Sequence, residues 1–134
     1  MTTTTAMLDS NPKEFGALDR GALATAIDAA SECARTCAAC ADACLSEDMV
    51  AELTDCIRTD LNCSDVCATT ASVLSRATPA TADVTRAVVE ACLVACRACA
   101  DECAQHADMH DHCRICADAC RRCIDACTAL LETL

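Results

Sequence analysis

Cysteine recurs at helical spacing through this chain of 134 residues, 16 times in all. The run CARTCAACADAC sets Cys33, Cys37, Cys40 and Cys44 at offsets of 4, 7 and 11. An α-helix turns about 100° per residue, so such offsets share a stripe roughly 60° wide. A soluble helix normally places Leu and Ile there. Three further runs repeat the register: CIRTDLNCSDVC with Cys56, Cys63 and Cys67, CLVACRACADEC with Cys92, Cys96, Cys99 and Cys103, and CADACRRCIDAC with Cys116, Cys120, Cys123 and Cys127. Cys113 extends the last run by a turn, and Asp60 stands where the second run would have its second thiol. The intervals between runs differ, so this is a shared register and not a solenoid period.

Thiolates are soft ligands that select Cu(I), Zn(II) or iron–sulfur clusters. Structural zinc favours closed tetrahedral sets brought together from paired CxxC motifs. Iron–sulfur ligation usually draws on loop-borne runs. Unbroken rows of sulfur along helices fit Cu(I) better, because neighbours at i and i+4 have Cβ atoms about 5–6 Å apart and one helix can chelate an ion alone. So many thiols in one core imply many ions per chain. A zinc or cadmium thiolate buffer, resembling metallothionein in role, is the alternative. A disulfide-bonded structural bundle is a third reading, disfavoured because i,i+4 cysteines sit too far apart for the Cβ approach of about 3.8 Å that a disulfide needs. Cysteine can also pack as a small hydrophobe, but 16 in one register argue against filler. No single cysteine is set apart beside a base, so no enzyme is expected.

These rows need long helices to carry them. Asp19 is a plausible cap for the first, running to about Leu45. Ser46, followed by Glu47 and Asp48, reads as the cap of a second that ends near Ala77. Pro79 marks the next junction, with Thr78 or Thr81 capping the third helix, and Asp108 with Asp111 starts the fourth. Strand signals are lacking. Residues 1–17 read as a Thr-rich polar tail with a candidate short helix from Asn11-Pro12 to about Gly16. The fold expected is all-α, one antiparallel four-helix bundle over residues 18–134 with a cysteine-lined core. With no Trp or Tyr, and with Phe15 preceding every run, that core should not be aromatic. Ala and Cys provide little apolar area per residue.

Antiparallel order then sorts the two ends. Leu23, Ala26, Ala30, Leu74, Val88, Val89, Leu130 and Leu134 fall together as a hydrophobic plug. The opposite end collects Cys44, Met49, Leu53, Cys103, His106, Met109, His110, His112 and Cys113, including every histidine of the chain. The histidines and methionines are therefore candidate receiving ligands for copper; a solvated turn and core filler are the plain alternatives. Asp60 could accept protons from thiols as they bind metal, or be a locally hydrogen-bonded carboxylate of no consequence. Arg114, Arg121 and Arg122 read as a solvated outer face.

The net charge of −11 argues against a nucleic-acid partner. No apolar segment reaches the roughly 18 residues of a membrane span. The start MTTTTAMLDSNPKEFG has neither a basic n-region nor an apolar h-region, so a cytoplasmic location with reduced thiols is expected.

CxxxCxxCxxxC on successive helices resembles the cysteine-rich four-helix-bundle copper storage proteins, in the cytosolic branch without an export signal. The resemblance covers about residues 18–134. It implies a bundle that binds multiple Cu(I) ions through core thiolates, all 16 cysteines being ligand candidates. It also implies assembly as a homotetramer, and a copper chaperone is a candidate partner for delivery. Asp60 departs from the repeated motif and leaves Cys56 without an i+4 thiol.

Overall fold

The computed structural model describes Met1 to Leu134. It is all-helical: α1 (Thr3–Ser10), α2 (Arg20–Leu45), α3 (Thr54–Leu74), α4 (Ala82–Ala104) and α5 (Asp111–Thr133), with 3₁₀ turns at Val50–Glu52 and Pro79–Thr81. Each of α3, α4 and α5 packs against its predecessor and α5 closes back on α2, an up-down bundle with short connections. Asp19 caps α2 as expected, its carboxylate accepting the Ala22 N–H at 3.0 Å.

The junctions differ from the sequence expectation. Ser46 finishes α2 rather than starting α3; its hydroxyl donates to the Asp42 carbonyl at 3.1 Å. Leu53 is 1% exposed and pins the crossing segment, so α3 begins only at Thr54. Residue Thr78 donates its N–H to Thr81 Oγ1 and closes the Pro79–Thr81 turn that leads into α4. His110, not Asp108, is the N-cap of α5, and its carbonyl accepts from Cys113 and Arg114.

The N-terminal Thr-rich stretch is a helix and not a bare tail. Thr2 caps α1 by accepting the Thr5 N–H, and Leu8 is buried on the adjacent α2. No helix starts at Asn11. Its side chain instead accepts the Lys13 N–H at 3.0 Å, a turn two residues long that imitates a cap in sequence. Phe15 then enters the core, 4% exposed, with the Arg20 guanidinium 4.2 Å from its ring centroid; the core does hold one aromatic ring. Gly16 takes φ +56° beside Pro79, where a Cβ would lie 3.0 Å from the proline Cγ.

The bundle interior follows the stripes. None of the 16 cysteines is more than 2% exposed. Beyond them Leu23, Ala26, Ala30, Leu74, Val89 and Leu130 are buried, with Val88 and Leu134 half-buried against the same cluster. Thr70 and Thr85 share that end of the core. On the outer face Arg114 and Arg121 pair with Asp118, and Arg122 with Glu32. No helix is long and apolar enough to cross a membrane.

Candidate metal centre

Small residues between the cysteines let the four helices approach until sulfurs touch. Within a helix, Cys33 and Cys37 are 3.8 Å apart and Cys63 and Cys67 3.7 Å. Between neighbouring helices, Cys67 and Cys96 lie at 3.5 Å and Cys92 and Cys123 at 3.8 Å. Cys37 and Cys99 meet across the diagonal at 3.7 Å. All 16 are free thiols.

Several four-donor groups have every ligand atom within 4.8 Å of the others: Cys67, Cys92, Cys96 and Cys123; Cys33, Cys63, Cys67 and Cys96; Cys33, Cys37, Cys63 and Cys120; and Cys37, Cys99, Cys116 and Cys120. Consecutive groups share members, so the sites form a ladder. Cys56 finds its thiol neighbour across the bundle, Cys103 at 3.7 Å, and not along its own helix. Cys127 continues the stripe toward the plug, also fully buried.

Asp60 sits inside the ladder, 0% exposed. Its Oδ1 accepts from Cys99 at 3.1 Å and from Cys103 and Cys116 at 3.3 Å each. Burial, reinforced by Cys116, raises its carboxyl from 3.8 to about 7. Burial likewise lifts the Cys113 thiol to about 12, with the Cys44 charge next, and raises Cys44. These thiols therefore stay protonated until a metal displaces the proton.

The end opposite the plug carries a mixed donor set. Cys40, Cys44, His112 and Cys113 form a further four-donor group. His112 Nδ1 is 3.4 Å from Cys40 Sγ and 3.5 Å from Cys113 Sγ. The His110 ring stacks on His112 with centroids 5.3 Å apart. His106, in the turn after α4, stands apart, paired with Glu102 of that helix at 3.3 Å. Met49 packs half-buried against the core, whereas Met109 is 63% exposed.

Two features escaped the sequence reading. Glu47, taken there only as an acid following a cap, reaches both His110 and His112. That contact depends on the path between α2 and α3, which carries no periodicity. Thr70 and Thr85 lie in the extended register, one turn after Cys67 and two turns before Cys92, and that spacing was a usable signal.

The copper storage protein family profile matches residues 19–132. The chain belongs to the copper storage protein family. Among solved structures, it is similar to the copper storage protein Ccsp from Streptomyces lividans loaded with 10 copper equivalents: 56% identity, TM-score 0.96, covering 98% of this chain and 100% of that one. A second structure, described as a cytosolic copper storage protein from Streptomyces lividans with five coppers, shows 60% identity and TM-score 0.85 over 89% of this chain and 99% of that one. The Cu(I)-bound copper storage protein BsCsp3 matches at 33% identity and TM-score 0.71, over 79% of this chain and 94% of the other. No curated protein sequence matches the chain.

Proposed function

We propose that this copper storage family member holds multiple Cu(I) ions on its core cysteines and receives them at the His110–His112 end. The observation that carries the reading is the ladder of four-donor groups with shared members. Cu(I) accepts two or three thiolates and tolerates a bridging sulfur, so shared ligands suit it, whereas an isolated structural zinc site uses a closed set of four. Family membership and the copper-loaded relatives point the same way.

His112 reaches the first thiols from the outside, and neutral imidazole is a competent but weaker ligand than thiolate. It can take an ion and pass it to Cys40, Cys44 or Cys113. A copper chaperone would supply the ions. The proposal places the chain in the cytosol, where thiols stay reduced, as in the relative described as cytosolic. Homotetramer assembly belongs to the proposal and would cover outward apolar side chains such as Val94, 67% exposed; light scattering measures it.

The decisive experiment is saturation of fully reduced protein with Cu(I), and separately with Zn(II), against competing chelators. Many Cu(I) ions per chain, held more tightly than zinc, are expected. Preference for zinc, or saturation after one or two Cu(I), would overturn the proposal.

A further inference from the structure

Three sulfurs and one oxygen converge at one level of the bundle, a donor set unlike the rest of the ladder. Cys99 and Cys103 stand one turn apart on α4, Cys116 comes from α5 and Asp60 from α3. Asp60 Oδ1 lies 3.1 Å from Cys99 Sγ and 3.3 Å from the Sγ atoms of Cys103 and Cys116. Cys99 Sγ is 3.9 Å from each of the other two sulfurs. All four side chains are fully buried. The second carboxylate oxygen, Oδ2, faces Cys56 Sγ at 4.0 Å, which leaves Oδ1 alone toward the three sulfurs.

These distances are the edges of a small tetrahedron. An ion with Zn–S of about 2.3 Å and Zn–O of about 2.0 Å, at tetrahedral angles, holds its sulfurs roughly 3.8 Å apart and its oxygen roughly 3.5 Å from each sulfur. The sulfur edges match. The oxygen edges are slightly short, drawn in by the thiol–carboxylate hydrogen bonds that an ion would replace. The pair at i and i+4 on α4 supplies two ligands from one helix.

Donor type separates this set from its neighbours. The groups made of cysteine alone suit the soft Cu(I) ion. A carboxylate oxygen is a poor ligand for that ion and a regular one for Zn(II).

We propose that Asp60, Cys99, Cys103 and Cys116 form one closed site of three sulfurs and one oxygen for a borderline divalent ion, Zn(II), inside a core otherwise suited to Cu(I). Cys99 and Cys116 also belong to the group with Cys37 and Cys120. Zinc held here therefore blocks one rung of the sulfur ladder, and the two metals compete at that level. The site itself does not depend on copper storage being the role of the chain.

Co(II) substitutes for Zn(II) in such sites and colours them, so it is the probe. Titration of reduced, metal-free protein without oxygen should raise the visible bands of tetrahedral, thiolate-bound Co(II), with a break at about one ion per chain. Zn(II) should bleach these bands, because it stands above Co(II) in affinity. Asp60→Ala should weaken the Co(II) complex at least about 100-fold, since losing a mere supporting partner of a ligand already costs about 10–100-fold. Asp60→Cys restores a fourth ligand and should bind again, with bands shifted toward those of an all-sulfur site. Asp55→Ala removes an exposed carboxylate from the start of the same helix and should titrate as wild type. Circular dichroism of each variant reports an intact fold. X-ray absorption of wild-type protein with equimolar zinc should find oxygen and sulfur together around the ion.

Co(II) bound equally well without Asp60, the absence of a tetrahedral spectrum, or zinc surrounded by sulfur alone would each overturn the site. Cu(I) titration of the same preparation keeps the two proposals apart. Many Cu(I) ions per chain with no Co(II) spectrum would remove the divalent site and leave storage standing.

Discussion

Asp60 Oδ1 lies 3.1 Å from Cys99 Sγ, a carboxylate set into the only region of the protein otherwise lined by sulfur. Two more thiols, Cys103 and Cys116, donate to the same oxygen. The group is a proton holder surrounded by the protons that metal must displace.

The metal-free protein should lose stability as pH rises through the weakly acidic range. The folded value of about 7 exceeds the unfolded 3.8, so between them the folded state keeps a proton that the unfolded chain has released. The unfolded state then binds fewer protons, and stability falls with rising pH across that window. Asp60→Asn should flatten this profile and stabilise apo protein at neutral pH by ~2–4 kcal/mol, since each pKa unit is worth about 1.4 kcal/mol. Urea denaturation at about pH 5 and about pH 8 checks it, the first inside the window and the second above it; an equal change in stability between the two pH values in both proteins would count against it.

Copper loading should depend on the same carboxylate. Each thiol that binds must give up a proton, and a group titrating at about 7 can receive it from Cys99, Cys103 or Cys116. Asp60→Asn should load more slowly, with a shifted pH dependence, while thiol content is unchanged. Identical rate–pH curves would leave Asp60 without this role.

Replacing His106, His110 and His112 together by Ala should slow both uptake and removal of Cu(I) and leave final capacity nearly intact. Leu130→Ala opens the opposite end, where the side chain is fully buried. That change should cost about 2–5 kcal/mol of stability without slowing loading. Stopped-flow traces of the two variants, side by side, distinguish the ends. Equal slowing in both would rule out uptake past the histidines.

Apo protein should already be helical, because Ala-rich helices form readily, and Cu(I) should raise its melting temperature strongly. Binding to the folded state alone stabilises by mass action, and the ligands are already adjacent. Circular dichroism with and without Cu(I) is the measurement. A largely unfolded apo chain, or an unchanged Tm, would contradict it.

Periodicity made the bundle and its sulfur stripes readable from residue types alone. Four rows in one register leave one inward face per helix, and the structure buries all of them. Local cap rules did less well. Ser46 and Asp108 look like helix starts, but Leu53 and His110 had to be tucked inward first, so tertiary burial moved the true starts downstream. Asn11 satisfied the backbone in a turn instead of a helix. The Glu47 contacts come from a loop path and two facing rings, a juxtaposition that no spacing rule encodes.

The dryness of the thiol ladder has an electrical consequence. With every cysteine essentially sealed from water, neither a bare thiolate nor a bare cation is tolerated inside in isolation. Filling must therefore couple each arriving ion to the departure of the thiol protons it displaces. The bundle behaves as a dry ion exchanger, in which the ratio of protons released to ions bound sets how far the interior charge drifts between empty and full.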